Sequence, residues 1–240
     1  MDDLTQFHPL STPTAQRPLL GLTILAVEDS RFACEALRLM CLKSGARIRR
    51  ADCLAAARRH LKLYRPSLAI VDIGLPDGSG LDLIHDLPNQ NPGYFGTLAT
   101  SGDDGWAPSA LRAGAAGFLH KPIASLFEFQ AMILKILPTN RRPTGPRQVS
   151  SDAVQPDQLA LTDDLVLAAQ KLARSGKDAN FGYLSRFISG VAQSAGDRSL
   201  ARAAQAIAPS SQVPRPSGEA IARLQAVLER RIAAAQPAQV

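Results

Sequence analysis

The sequence predicts a doubly wound α/β domain on a five-stranded parallel sheet, followed by a smaller all-α domain, and three observations carry that reading. From Leu22 to Leu137 short apolar runs alternate strictly with amphipathic stretches, five of each. Polar and charged residues recur at the carboxyl ends of the apolar runs. A Pro- and Arg-rich break, Pro138 to Pro156, then gives way to Ala- and Leu-rich sequence of helical spacing. Strict strand–helix alternation implies right-handed crossovers and a ligand site at the carboxyl ends of the strands.

The elements follow in order. Thr23–Val27, Ala46–Ala51, Leu68–Asp72, Phe95–Thr100 and Gly117–His120 read as strands. Between and after them Arg31–Lys43, Leu54–Tyr64, Gly80–Asp86, Ala107–Ala113 and Leu126–Leu137 read as helices. Prolines and glycine in Pro138–Pro156 break both helix and strand ladder, so this segment reads as a linker. Beyond it, Leu159–Arg174, Tyr183–Ser194, Ser199–Ala208 and Glu219–Ala235 predict a small helical bundle, with Ile221, Leu224, Val227, Leu228 and Ile232 as its last apolar stripe. The expected division is a disordered segment 1–20, an α/β domain 21–138, a linker 139–156 and a helical domain 157–240.

Composition is that of a globular protein. No run approaches the eighteen or so apolar residues of a membrane span, and Met1 to Pro18 lacks a signal-peptide core, so a cytoplasmic protein without membrane contact is expected. Cys34, Cys41 and Cys53 lack metal-ligand spacing and read as small buried hydrophobes. The net charge of +6 resides mainly in residues 139–240, with 13 Lys and Arg against 8 Asp and Glu. Those arginines are mostly single, a pattern closer to a solvated helix face than to a nucleic-acid footprint.

The strand ends carry the chemistry. Glu28 and Asp29 follow the first strand, Asp72 closes the third, Thr100-Ser101 the fourth, and Lys121 follows the fifth. Three carboxylates at one sheet edge repel unless a cation neutralises them, which asks for a hard divalent metal such as Mg2+. Each residue has a plainer reading when taken singly: the acidic pair as a helix cap, Lys121 as a surface lysine, Phe118 as core.

Together, Val27-Glu28-Asp29-Ser30-Arg31, the Asp72-x-x-x-Pro76-x-x-x-Gly80 loop, Thr100 and Lys121-Pro122 resemble the receiver domain of bacterial two-component response regulators, a flavodoxin-like fold, over residues 22–137. The resemblance implies that Asp72 accepts a phosphoryl group from a phosphohistidine on a histidine kinase or histidine phosphotransfer protein. It further implies Mg2+ held by Glu28, Asp29, Asp72 and the Gly74 carbonyl, with Lys121 on the phosphoryl oxygens and a cis bond before Pro122. Thr100, preferred over Ser101, would donate its hydroxyl, and Phe118 would fill the space vacated as Thr100 moves inward. Such a receiver catalyses only its own phosphorylation and dephosphorylation, and is no enzyme toward an independent substrate. Gly74 and Gly102, two residues beyond Asp72 and Thr100, leave the phosphoryl group without a local side chain to shield or orient water.

The helical domain carries no phosphate loop, metal cluster or nucleophile–base pair. Tyr183–Ala192 faintly resembles a histidine phosphotransfer helix, yet Arg186 stands where the histidine belongs and Ser189 where a lysine belongs. The domain is therefore expected to make protein contacts, through homodimerisation or a protein target, that phosphorylation switches. A DNA-binding transcriptional output is the alternative.

Overall fold

The computed structural model describes residues 12–87, 93–144, 154–176, 179–210 and 214–235. Five parallel strands form one sheet: β1 (Thr23–Val27), β2 (Arg47–Ala51), β3 (Leu68–Asp72), β4 (Thr97–Ser101) and β5 (Gly117–His120), in the order β2-β1-β3-β4-β5. The order reverses beside β1, and that switch point places the crevice at the carboxyl ends of β1 and β3. Val27 pairs with Val71, so Glu28 and Asp72 are the next residues on neighbouring strands. Asp72 pairs with Thr100 and Ser101 with His120, which brings Lys121 to the same edge.

Helices α1 (Arg31–Ser44), α2 (Leu54–Leu63), α3 (Gly80–Asp86), α4 (Ala107–Arg112) and α5 (Leu126–Ile136) flank the sheet. One face buries Ile24, Ile70, Leu98, Leu37, Met40, Phe129 and Ile133; the other buries Leu25, Val27, Val71, Ala99, Ile84 and Phe118. The central strand β3 is buried along its whole length, as covered parallel strands must be. At the end of α1, Gly45 adopts φ +84°, a left-handed value that only glycine takes without strain, and its N–H reaches the carbonyls of Cys41 and Leu42.

The expectation of a disordered segment 1–20 needs correction for residues 12–20, while residues 1–11 lie outside the described residues. Leu19 is fully buried in the α1–α5 core and its N–H donates to the Ser44 carbonyl at 2.9 Å. The expected linker is likewise anchored at its described ends. Arg142 donates through Nε to the Leu137 carbonyl at 2.9 Å, and Val154 is buried in the same core; residues 145–153 lie outside the described residues.

The C-terminal helices are α6 (Gln158–Ala173), α7 (Phe181–Ser194), α8 (Arg198–Gln205) and α9 (Gly218–Ala235). They pack as a bundle around Leu165, Leu172, Leu184, Ile188, Ala204 and Leu228. Leu224, Val227 and Leu228 of the predicted stripe are buried there. Asp197 starts α8 by accepting from the N–H groups of Ser199 and Leu200, and binds Arg231 of α9 at 2.5 Å. The bundle also packs on the α/β domain, α6 along α1 and α7 over the loop at Gly74–Leu75.

Candidate functional site

The loop after β3 is shaped by two local requirements. Gly80 opens α3 so near the end of β3 that a Cβ there would lie 2.0 Å from the Asp72 carbonyl oxygen, so only glycine fits. Asp77 turns away from the carboxylates and accepts from the N–H groups of Leu54 and Ala55 at 2.8 and 2.9 Å, capping α2. The loop is thereby pinned at both ends, with the Asp72 side chain at the crevice.

One carboxylate oxygen each from Glu28, Asp29 and Asp72 lies within 4.8 Å of the others. Lys121 Nζ sits 2.7 Å from Glu28 Oε2 and 3.1 Å from Asp72 Oδ1, and its side chain is almost wholly buried. The peptide bond from Lys121 to Pro122 is cis. Burial pushes the Glu28 carboxyl up to about 8 despite the opposing Lys121 charge, and Asp29 up to about 7 despite a hydrogen bond from Tyr183. Burial opposes the Lys121 ammonium, but Asp72, Glu28 and Asp29 outweigh it and hold its pKa above the ordinary lysine range. A cluster of three hard oxygen donors against one ammonium carries an excess of negative charge, the condition that a divalent cation relieves.

The two neighbouring hydroxyl residues differ in their surroundings. Ser101 Oγ accepts from the Asp103 N–H at 3.1 Å, whereas Thr100 is fully buried and its Oγ1 has no hydrogen-bond partner among the described residues. A buried hydroxyl without a partner costs stability, which suits a group held for a partner that arrives. Phe118 is buried among Ala99, Ala110 and Ala115, edge-on to His120. Of the cysteines, Cys34 and Cys41 are buried and burial pushes both thiols up to about 12; Cys53 is half-buried, its sulfur accepting from the Ala56 N–H.

Further residues at the crevice come from the bundle and were not singled out for this site by the sequence. Tyr183 donates its hydroxyl to Asp29 Oδ2 at 2.6 Å and accepts from Lys171 Nζ at 3.1 Å. Arg186 and Phe187 line the same crevice as Glu28, Asp72, Gly74 and Lys121. Gln193 lies so close to Gly102 that a Cβ there would meet its Oε1 at 1.8 Å. The expectation that Gly74 and Gly102 leave the site unshielded is thus corrected: Arg186 covers the one and Gln193 the other. The side of α7 that faces the receiver carries Arg186, Ser189, Gly190 and Gln193, while Leu184, Ile188 and Val191 pack in the bundle core.

The interface is fixed by Asp164, fully buried on α6. It accepts from Ser30 Oγ at 2.8 Å, the Arg31 N–H at 2.9 Å and the Phe32 N–H at 3.0 Å, completing from another domain the N-terminus that Ser30 itself caps through the Ala33 N–H. Burial raises its pKa, the donated hydrogen bonds pulling the other way. Asp163 pairs with Arg31 at 2.6 Å beside it.

Residues 24–133 match the family model of the response regulator receiver domain. This part of the chain is a receiver domain. The receiver-bearing chain is 34% identical over 137 residues to the probable transcriptional regulatory protein TcrX of Mycobacterium tuberculosis, covering 55% of each. It is 31% identical over 123 residues to the KDP operon transcriptional regulatory protein KdpE of Escherichia coli, covering 51% of this chain and 54% of that protein. The chain therefore spans about half the length of the curated relatives it matches. A crystal structure of a putative response regulator from Chloroflexus aurantiacus is 27% identical, with a TM-score of 0.44 over 48% of this chain and 96% of the other. No helix among the described residues is long and apolar enough to cross a membrane.

Proposed function

We propose that the chain is a two-component response regulator whose receiver takes a phosphoryl group on Asp72 from a phosphohistidine on a histidine kinase or phosphotransfer protein, in the cytoplasm. The observation that carries this reading is Asp72 Oδ1 at 3.1 Å from a buried lysine, within a carboxylate cluster at the sheet's switch point. The Asp72 carboxylate is the nucleophile and Lys121 a fixed positive charge for the incoming oxygens. Thr100 offers its unpartnered hydroxyl to the product. Glu28, Asp29, Asp72 and the Gly74 carbonyl would hold Mg2+, which supplies charge neutralisation of the transferring group. The chain turns over no independent substrate; its receiver catalyses its own phosphorylation and hydrolysis.

The output is a change in the contacts of the C-terminal bundle, because Tyr183, Arg186 and Gln193 lie against the reacting site. A bundle released or tightened by phosphorylation exposes or hides surface for a second copy or another protein. DNA binding is the second reading, favoured by the names of TcrX and KdpE as transcriptional regulators. A salt-dependent gel shift of the full chain separates the two, since a DNA reader binds at low salt. The primary test is incubation of wild type and Asp72→Asn with Mg2+ and phosphoramidate, followed by intact mass and oligomeric state. One added phosphoryl group in wild type alone supports the reading; an unmodified wild type overturns it.

A further inference from the structure

We propose that Arg186, delivered by α7, is an oxyanion-binding residue for the phosphoryl group on Asp72, so that the C-terminal bundle completes the receiver's site and reads its phosphorylation directly. The inference rests on Asp72 as phosphoacceptor and goes beyond it, since Arg186 lies outside the receiver, residues 24–133.

Four observations converge. Arg186 lines the crevice that holds Asp72 and Lys121, and its side chain lies across Gly74, Nε 3.6 Å from the position a Cβ would take there. It makes no ion pair and no hydrogen bond among the described residues, although three carboxylates line the same crevice. The neighbouring cation, Lys121, is already committed to Glu28 and Asp72. The bundle is held over this site by Asp164 and Tyr183, so α7 brings the exposed Arg186 side chain to the crevice before any ligand arrives.

Charge decides what Arg186 is for. The lining carries Glu28, Asp29 and Asp72 against Lys121 and Arg186. Phosphorylation of Asp72, in which a carboxylate oxygen forms the new O–P bond as the donor histidine's N–P bond breaks, replaces the single charge of Asp72 with nearly two and adds three acceptor oxygens. Mg2+ and Lys121 together then fall about one charge short of balancing the group and its two acidic neighbours. Arg186 supplies that charge in a planar fork suited to a phosphoryl oxygen pair. In the unphosphorylated site the same arginine has no anion to hold beyond acids that a metal and a lysine already claim. A bound phosphoryl group therefore draws α7 toward the receiver.

The test is a titration of the full chain with beryllium trifluoride in saturating Mg2+, a phosphoryl analogue. It is followed by the fluorescence of Trp106, the single tryptophan, which lines this crevice. Midpoints, not amplitudes, are compared for wild type, Arg186→Ala, Arg186→Lys and Arg202→Ala, the last an exposed arginine outside the crevice. Loss of a charge-assisted pair predicts a roughly 10- to 100-fold weaker midpoint for Arg186→Ala, a smaller loss for Arg186→Lys, and none for Arg202→Ala. A wild-type response that Arg186→Ala leaves unchanged, or an equal loss in Arg202→Ala, overturns the role of Arg186 while leaving Asp72 intact. A wild type that gives no response overturns both, through Asp72.

Discussion

Replacing Asp164 by alanine removes the carboxylate that joins α6 to the start of α1. Three donors lose their acceptor: Ser30 Oγ, the Arg31 N–H and the Phe32 N–H, all within 3.0 Å of it. Hydrogen bonds to a charged group contribute about 1.5–3 kcal/mol each, and a lost helix cap about 0.5–2 kcal/mol. The sum overstates the cost. Burial holds the Asp164 carboxyl above its ordinary pKa, so part of the gain offsets desolvation, and water reaches the freed donors once the domains part. A net loss of about 2 kcal/mol remains, roughly 30-fold in the docked population. Hydrogen exchange of the full chain reads it directly: the Arg31 and Phe32 amides should exchange roughly 30-fold faster in Asp164→Ala. Amides of β3 at Ile70 and Val71 should keep their protection. Asp164→Asn, which keeps the shape and one strong acceptor, should fall between. Unchanged exchange at Arg31 and Phe32 would show that the carboxylate does not hold the bundle on the receiver.

Tyr183→Phe removes the donor to Asp29 and should weaken docking by about 1–2 kcal/mol, seen as faster exchange along α7 with the α8–α9 pair unaffected. Gly80→Ala forces a Cβ onto the Asp72 carbonyl and should abolish beryllium trifluoride binding, because the Asp72 backbone must move; wild-type affinity would contradict the packing. Phe129→Ala empties a fully buried site between sheet and helices and should cost about 3–5 kcal/mol in receiver stability by denaturant melt. Asp197→Ala removes the α8 cap and the Arg231 pair and should destabilise the bundle by about 1–2 kcal/mol. The Asp197 carboxyl is held below its ordinary pKa chiefly by the Arg231 hydrogen bond. Its contribution is therefore complete above the unfolded value near 3.9 and is lost as pH falls through the folded one, so wild type and variant should converge in strong acid.

Strands, flanking helices and the strand-end positions of Glu28, Asp29, Asp72, Thr100 and Lys121 are legible in the sequence because they depend on local periodicity and on the order of the elements. Parallel pairing with right-handed crossovers leaves few ways to stack such a chain, and each brings those residues to one edge. The four bundle helices are legible for the same reason, as is the apolar stripe of α9.

The docking of the bundle is a different matter. Ser30 and Asp164 are separated by 134 residues and Asp29 and Tyr183 by 154, so no local pattern relates them. One signal was present in retrospect: an aspartate beside the apolar residues Leu161, Leu165 and Ala168 of α6. It shows that a face is covered, not what covers it. Residue order alone established a receiver with Asp72 at the head of its switch-point crevice. Only the tertiary structure placed Tyr183 on Asp29, Arg186 across Gly74 and Gln193 against Gly102, because complementarity between two surfaces depends on their three-dimensional shape and charge, and periodicity along a single chain encodes neither.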